Sequence, residues 1–438
     1  MALSADVARL SAAMPEYTKR MSLYQRRNFV LLMLDGATFS FAISLLSETT
    51  ILPAFVQALT GSSLLVGLVA ATYAIGHYLP QLIGAHLARG RVRRKPLLLA
   101  IVISERVGIL AIAITAQLIG VFDSDTIVVL FFLAFCVYAI TTGLIGPVYG
   151  DFVAKALTRG RGLFYGITQL FGGVLGFSSA LVAESLIRSH PFPGGIQLCF
   201  WICFGLSFLS IVFVSSLKEE PYPHVDPRPS LWTTFAEIPA ILRRDRSYSR
   251  YLVARAVLAF ATLGVGFVAV HGIETVLRPS DAALLAAVFI LSQAVLGFVV
   301  GLVGNYLGFK VVVILGGALL AAGMVGAIVA ASAPGYLLVF AALGGANAVT
   351  IIADPNMSIE FAPPDKTSLY LGTTSTLLAP FFILGPLAAG AVAGLLGYSA
   401  IFAAAAVLAV VGVLLTLRVT EPRRVVIVEA VGQPGALP

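Results

Sequence analysis

Long apolar stretches, separated by short polar ones, run along the chain from residue 28 to residue 417. Each stretch is about 20 residues long or longer, which is the length that an α-helix needs to cross the hydrocarbon core of a bilayer. The pattern therefore predicts an all-α integral membrane protein with twelve transmembrane helices. The predicted spans are approximately residues 28–59, 64–87, 96–121, 126–149, 162–187, 196–217, 251–276, 282–306, 309–331, 335–354, 367–393 and 397–417.

The composition leads to the same prediction. The chain has 438 residues, of which 59% are hydrophobic and 11% are charged, and its mean hydropathy is +0.97. A soluble protein has about 25% charged residues and could not keep this much apolar surface out of water. The three cysteines, Cys136, Cys199 and Cys203, all lie within apolar stretches. They predict neither a disulfide framework nor a metal site.

The longest polar interruption divides the chain into two halves. Within it, residues 231–242 alternate apolar and polar faces at helical spacing, which predicts an amphipathic helix on the membrane surface. The N-terminal tail lacks the pattern of a removable signal peptide. The predicted domains are an N-terminal tail at 1–27, a six-helix bundle at 28–217, a linker at 218–250, a second six-helix bundle at 251–417 and a C-terminal tail at 418–438.

Short basic loops recur at matching places in the two halves. The loop from Gly84 to Lys95 follows the second apolar stretch, and a weaker copy from Gly301 to Lys310 follows the eighth. The first glycines of the two loops lie 217 residues apart. Residues 161–166 and 366–372 form a further pair, before the fifth and eleventh stretches. These echoes predict an internal duplication, which is typical of membrane transporters.

Basic residues are distributed unevenly between the two sides of the predicted membrane domain. An even number of spans places both termini on one side, together with nearly all of the Lys and Arg residues. The positive-inside rule therefore predicts a multi-pass protein of a bacterial-type cytoplasmic membrane, with both termini in the cytoplasm. This distribution also explains the net charge of +7 without a nucleic-acid partner. The cytoplasmic loops are residues 88–95, 154–161, 218–250 and 308–310, whereas the outer turns hold Arg188 and Arg278 with Asp123, Asp125 and Asp281.

Taken together, these features resemble the major facilitator superfamily over residues 28–418. The loop motif of that family reads Gly, three residues, Asp, Arg, one residue, Gly and then basic residues. In the first copy Gly84, Arg89, Arg93 and Arg94 fit, but Ala88 stands where the motif has Asp and Gly90 is offset by one. In the second copy Gly301, Gly308 and Lys310 fit, and Asn305 stands for the acid. The resemblance implies that spans one, four, seven and ten line a central cavity, with spans three, six, nine and twelve outside.

The basic loops provide candidates for a cytoplasmic gate. Glycine lets two helices approach closely, and the arginines can pair with acids such as Asp151, Asp354 and Glu360 at the ends of other helices. Such pairs would hold the inner face shut in one state and break in the other. The alternative is that the arginines only set the topology. The gate candidates are Gly84, Arg89, Arg93, Asp151, Gly301, Asn305, Gly308 and Asp354.

Ionisable residues inside the spans provide candidates for a transport site. A charge at the bilayer centre costs about 2.5–3.5 kcal/mol on insertion scales, so such residues persist where they meet partners or water. Asp35 in span one is the first candidate for a proton or substrate-charge site, and Glu48 is the second. Glu48 could instead be wetted near the outer headgroups. His77 could join the site or be a packed core histidine, and Asn347 could provide a cavity hydrogen bond.

Other charged residues in the spans suit structural roles better. Glu105 and Arg106 in span three are adjacent, so they point to different faces. Because span three lies outside by the resemblance, we expect both to pair with neighbouring helices. Arg255, near the inner end of span seven, could reach the membrane surface with its long side chain.

The function predicted from these observations is secondary active transport of a small molecule by alternating access, driven by the proton gradient and with no bound cofactor. We expect a monomer in the bilayer, and export is favoured over import. Exporters of the superfamily carry a glycine motif in span five; residues 172–176 match its front, but Phe177 replaces its proline. A lipid or lipid-conjugate flippase and a non-transporting receptor are the alternatives. An enzyme is not predicted, because no nucleotide-binding loop, nucleophile elbow or metal cluster is found.

Overall fold

The computed structural model describes residues 10–11, 14–48, 50–157, 159–223, 229–277 and 282–422, and these form sixteen α-helices without a β-strand. Most of the predicted tails, Arg278 and Asp281 lie outside the described residues. The helices are α1 (Pro15–Ser44), α2 (Ile51–Thr60), α3 (Ser63–Tyr78), α4 (Gln81–Ala88), α5 (Lys95–Gln117), α6 (Ser124–Ala156), α7 (Arg161–Ser189), α8 (Gly194–Ser216), α9 (Leu231–Arg244), α10 (Arg246–Ala261), α11 (Val265–Thr275), α12 (Ala282–Leu307), α13 (Phe309–Val329), α14 (Ala333–Phe361), α15 (Thr367–Leu396) and α16 (Tyr398–Leu417).

Eleven helical stretches among the described residues are long and apolar enough to cross a membrane. They correspond to the second to twelfth predicted spans. Two of them combine consecutive helices: α3 with α4, and α10 with α11 through a 3₁₀ turn at Thr262–Gly264. The predicted amphipathic segment is also helical, as α9.

The first predicted span differs from the continuous helix that we expected over residues 28–59. Helix α1 begins earlier, at Pro15, and ends at Ser44, and α2 starts only at Ile51. Between them the Ser47 carbonyl accepts hydrogen bonds from the backbone N–H groups of Thr50, Ile51 and Leu52, at 3.1–3.3 Å. The Thr50 hydroxyl also donates to the Ser47 hydroxyl, at 2.7 Å. The backbone therefore makes a turn here, with several N–H groups sharing one carbonyl, in place of a continuous helix.

By its internal contacts the chain separates into two compact units. The first unit comprises Lys19–Leu157 and Phe171–Arg228, and the second comprises Met1–Thr18, Thr158–Leu170 and Pro229–Pro438. The first turns of α7 therefore belong to the second unit and the rest of α7 to the first.

The two units repeat one pattern of helix packing. In the first unit, α6 packs against α5 and against α3 and α4, and α5 packs against α8. In the second unit, α14 packs against α13 and α12, and α13 packs against α16. These are the same ordinal pairs of spans in each half, as the duplication predicts. Each unit also has its own apolar core, with Phe131 and Phe135 at the centre of the first and Phe402 in the second.

One interruption of the helices recurs at a matching place in the two halves. Leu45, where α1 has ended, and Thr262, where α10 gives way to the 3₁₀ turn, lie 217 residues apart. That spacing equals the spacing of Gly84 and Gly301. Discontinuous helices at corresponding positions of two repeats are a common feature of transporter binding sites, because they free backbone groups inside the membrane.

Candidate functional site

Asp35 lies in a polar cluster inside the first unit. Its side chain is buried on α1, where it interacts electrostatically with Arg106 of α5 and contacts the Ser210 hydroxyl of α8. The Arg106 guanidinium also stacks over the ring of Phe39, with 4.6 Å between its Cζ and the ring centroid. Asp35 and Phe39 are one helical turn apart, so one face of α1 meets Arg106 twice.

Arg106 is shared between two carboxylates. It forms an ion pair with Glu105 and donates hydrogen bonds to the Ser207 carbonyl at 3.1 Å and to the Ser210 hydroxyl at 2.7 Å. Glu105 in turn accepts a hydrogen bond from the Thr142 hydroxyl at 2.9 Å. Both residues hydrogen-bond to neighbouring helices, as we expected, but they also form an ion pair with each other, so the expectation that they point to different faces is wrong. With both acids ionised, the cluster of Asp35, Glu105 and Arg106 carries one excess negative charge. Since an uncompensated charge is costly inside a bilayer, uptake of one proton would relieve that cost.

Glu48 and His77 belong to a second group in the same unit. Glu48 lies half-buried in the interruption after α1 and interacts electrostatically with Tyr73 of α3 and Tyr138 of α6. The His77 ring stacks on the Tyr73 ring, with their centroids 5.5 Å apart. Its buried Nδ1 has no hydrogen-bond partner among the described residues. The structure thus associates Glu48 and His77 through Tyr73, whereas Asp35 has different partners.

Tyr138 connects the two groups. It is fully packed on α6 and interacts electrostatically with Glu48 and also with Arg106. The sequence did not single out Tyr138, because an aromatic residue in an apolar span is usually a packing residue.

Asn347 lies in the second unit. Its side-chain amide on α14 donates a hydrogen bond to the Gln293 side-chain oxygen of α12, at 2.9 Å. Both residues are half-buried. An amide pair of this kind can exchange its internal bond for hydrogen bonds to a polar solute.

Asp151 is the centre of a buried charge cluster at one end of the first unit. Its carboxylate binds the Arg94 guanidinium at 3.1 Å and the Lys155 ammonium at 2.6 Å. All three side chains are buried, and both cations also lie over the ring of Tyr222, at 4.9 and 4.8 Å. Arg94 and Lys155 were not among our gate candidates. Arg93 is exposed, and Arg89 is half-buried where α4 ends.

Glu219, in the linker after α8, attaches this cluster to the start of α5. Its two carboxylate oxygens accept hydrogen bonds from the backbone N–H groups of Arg94 and Lys95, at 2.7 and 2.9 Å. A carboxylate at this position satisfies free donors and complements the positive end of the helix dipole. Burial raises the pKa of Glu219 above its usual value, and the two hydrogen bonds act in the opposite direction.

Asp354, another gate candidate, is paired within the second unit. The Arg255 guanidinium donates to its two oxygens at 2.5 and 2.6 Å, and the Tyr251 hydroxyl donates to one of them at 3.1 Å. Arg255 is buried, so the expectation that it reaches the membrane surface is wrong. The reason is that Asp354 provides a bidentate partner inside the unit, which satisfies the fork of the guanidinium.

The glycine candidates lie at close helix contacts. Gly84 of α4 is in contact with the backbone of Leu144 in α6, where a side chain has no room. Gly301 of α12 faces the first turns of α7: a Cβ at Gly301 would lie 2.5 Å from the Gly162 carbonyl oxygen. Asn305 is buried one turn further along, next to Gly162. Gly308 ends α12 with φ +94°, a conformation that disfavours other residues, and a Cβ there would meet Glu421.

We expect Gly301→Ala to lower the stability of the second unit by about 1–3 kcal/mol, since the new methyl group forces α12 away from α7. The matched control is Gly266→Ala, at a helical glycine of the same unit with open space around it. That control should leave the stability unchanged or raise it slightly, because Ala favours helix. Thermal unfolding of the detergent-purified variants checks this; equal effects of the two substitutions would contradict the close contact.

The glycines of span five lie where α7 packs against α1 in the first unit. A Cβ at Gly172 or Gly176 of α7 would lie 3.2 or 3.1 Å from the hydroxyls of Ser40 and Ser44 in α1. One turn later the Ser179 hydroxyl donates to the Phe41 carbonyl, at 2.7 Å. Small residues therefore bring α7 against the part of α1 that follows Asp35.

The chain was compared with known sequences and with solved structures. A search of curated protein sequences finds no significant match. Among solved structures, the human organic anion transporter is similar with a TM-score of 0.69 and 16% identity, over 90% of this chain and 99% of that one. The Escherichia coli fucose:proton symporter is similar with a TM-score of 0.68 and 15% identity, over 90% of this chain and 98% of that one. The proton:xylose symporter is similar with a TM-score of 0.67 and 16% identity, over 91% of this chain and 97% of that one. At these identities the likeness shows the fold.

A family model assigns the sequence directly. The model described as Major Facilitator Superfamily matches residues 37–278 and residues 252–436. The two matches together cover almost all of the predicted membrane domain. The chain therefore belongs to the major facilitator superfamily and has its all-α, twelve-span transporter fold.

Proposed function

We propose that the protein exports a small molecule across a cytoplasmic membrane in exchange for protons, by alternating access and with both termini in the cytoplasm. The observation that carries this proposal is the buried cluster in which Asp35 and Glu105 share Arg106. A site that holds two acids and one base inside the bilayer has a reason to bind one proton.

Asp35 is the acid that exchanges the proton in this proposal. Glu105 is held by an ion pair with Arg106 and by the Thr142 hydroxyl. Among the described residues, Asp35 interacts with the charge of Arg106 and with the Ser210 hydroxyl and has no ion pair within 4 Å. Because a neutral carboxyl is attracted less by a guanidinium than a carboxylate is, protonation loosens α1 from α5 and α8.

Helix α1 can transmit that change. It ends at Ser44, and the interruption over residues 45–50 separates it from α2. Movement of α1 relative to α2 therefore breaks few helical hydrogen bonds. The contacts of Gly172 and Gly176 with Ser40 and Ser44 pass such movement to the part of α7 that belongs to the first unit.

Glu48, Tyr73 and His77 form the proposed solute-binding surface of the first unit. They combine a carboxylate, aromatic faces and a ring nitrogen that lacks a partner within the described structure. Asn347 and Gln293 are the proposed counterpart in the second unit. A small set of polar groups on a mostly apolar wall is typical of small-molecule sites.

The printed activities of similar structures support coupled transport of small solutes. Two of them are proton symporters, for fucose and for xylose, and one is an organic anion transporter. These solutes set the first panel to test. The pairs of Asp151 and Asp354 each lie within one unit, and we expect each to hold together the helix ends of its own unit at the cytoplasmic face.

Transport by the purified protein in liposomes tests the proposal. The liposomes would contain a pH-sensitive dye, and organic anions, monosaccharides and hydrophobic cations would be added in turn. We expect at least one solute class to drive proton movement, with solute and proton moving in opposite directions. Solute transport without any proton movement would refute the coupling, and movement in the same direction would refute export.

A further inference from the structure

An open groove lies on the surface of the second unit, between the start of α10 and the end of α16. It has a volume of about 590 Å³ and is lined by Ser249, Arg250 and Val253 of α10, Leu415 of α16 and Arg418. The two arginines lie at the helix ends, and Val253 and Leu415 lie further along the apolar helices. The groove is therefore cationic at one end and apolar at the other.

The two arginines have no side-chain partner among the described residues. Arg250 and Arg418 are both exposed, and neither has a side-chain ion pair or hydrogen bond within the part of the chain that the structure describes. The described residues that line the groove include no acid. This differs from Arg94 and Arg255, which are buried against carboxylates. Two guanidinium groups beside an apolar wall are suited to bind a ligand that has an anionic group and an apolar chain.

The neighbouring helix places the groove at the membrane surface. Helix α9 is amphipathic and ends in Arg243 and Arg244, directly before α10. Its apolar side includes Trp232, which is 81% exposed, and Phe235. Exposed aromatic residues on a basic amphipathic helix are suited to the interface between headgroups and acyl chains. Val253, 56% exposed on α10, then lies at the depth of the acyl chains.

We propose that this groove binds one anionic phospholipid of the inner leaflet, with its phosphate between Arg250 and Arg418 and an acyl chain along Val253 and Leu415. Basic pockets at the cytoplasmic ends of transmembrane helices recognise such headgroups by charge. The Ser249 hydroxyl already donates its one hydrogen to the backbone carbonyls of Leu242 and Asp245, so the two guanidinium groups provide the donors for the phosphate. The inference rests on the proposed orientation, and it does not depend on proton coupling.

A lipid bound in the groove would contact both α10 and α16, and α10 belongs to the proposed transport machinery. Helix α10 leads into the 3₁₀ turn and carries Arg255, the partner of Asp354. Helix α16 packs along α10 and precedes the C-terminal tail. A lipid that bridges their ends therefore stabilises one arrangement of this pair.

Native mass spectrometry of the detergent-purified protein tests the site without any gradient. Phosphatidylglycerol and phosphatidylcholine with identical acyl chains are titrated against the wild type, the double variant Arg250→Gln/Arg418→Gln and the charge-matched control Arg243→Gln/Arg244→Gln. We expect phosphatidylglycerol to bind roughly thirtyfold more weakly to the groove variant. This is the loss of affinity expected when two arginines, each with the usual attraction of a basic side chain for anionic lipid, are removed. The control should bind it like the wild type.

Three outcomes would overturn the proposal. Equal losses in the two double variants would indicate a diffuse basic surface. Equal binding of phosphatidylcholine would indicate an apolar groove without headgroup recognition. Displacement of phosphatidylglycerol by an equimolar amount of glycerol 3-phosphate would indicate a site for the free phosphate group. All the substituted arginines are on the surface, so the variants should fold, and thermal unfolding would verify this.

Discussion

Asp35→Asn is expected to abolish accumulation of solute against its gradient while solute exchange at equal concentrations continues. One exchanged proton can support about a tenfold solute gradient for each pH unit across the membrane. The variant should therefore fall from about tenfold to no accumulation at a difference of one unit. The amide keeps the shape of the side chain but cannot bind or release the proton. The measurement is the steady-state solute ratio in liposomes with an imposed pH difference.

The stability of this variant provides a second readout. The substitution removes the excess negative charge from the cluster and leaves Glu105 to neutralise Arg106. We therefore expect its thermal stability to match or exceed that of the wild type. The control is Glu184→Gln, which removes an exposed acid whose partner Arg188 is also exposed. Accumulation that persists in Asp35→Asn would exclude this residue as the coupling site, and accumulation lost in the control would show a non-specific defect.

Asp151→Asn is expected to have the largest effect on folding, with a loss of about 3–5 kcal/mol in the free energy of unfolding. Removing the carboxylate leaves the buried cations Arg94 and Lys155 without their shared partner, and a stranded buried charge costs this much. Unfolding of the purified protein by heat or denaturant measures the loss. A low yield of folded Asp151→Asn protein would also indicate a loss of stability. The variant Asp151→Glu keeps the negative charge, so it should be more stable than Asp151→Asn.

Glu184 again provides the matched comparison for Asp151. Both acids form an ion pair with a cation four residues further along a helix, but the pair of Glu184 and Arg188 is exposed. Exposed pairs of this kind contribute little, because water and salt screen them. A small and equal effect of the two substitutions would show that the Asp151 cluster is not the structural centre that its burial indicates.

Much of the fold could be predicted from the sequence because membrane spans depend on local properties. The hydropathy pattern placed eleven of the twelve spans, including the full repeat of helix order in the second half. The interruption after Ser44 was missed, since length and apolar content alone cannot tell one tilted helix from two shorter ones. The hydroxyl-rich residues 47–50 were the available signal.

The side-chain partners were harder to predict because they join residues far apart in the sequence. The loop of residues 84–95 contains four arginines, and sequence alone cannot tell which of them is buried against Asp151. Arg94 is held there by Glu219, 125 residues away. In the same way, Arg106 was expected to be peripheral, because its span was assigned an outer position. Its contacts with Asp35 arise from the packing of α1 on α5 and α8, for which the sequence contains no local pattern.

We propose that a proton on Asp35 changes the balance between two arrangements of the transporter. Spin labels at His190→Cys and Ala331→Cys, in exposed turns of the two units, can measure this in lipid nanodiscs after replacement of Cys136, Cys199 and Cys203. Pulsed electron–electron distance measurement needs no solute. We expect two distance populations whose ratio changes with pH in the wild type and is constant in Asp35→Asn. A ratio that changes with pH equally in both proteins would contradict it.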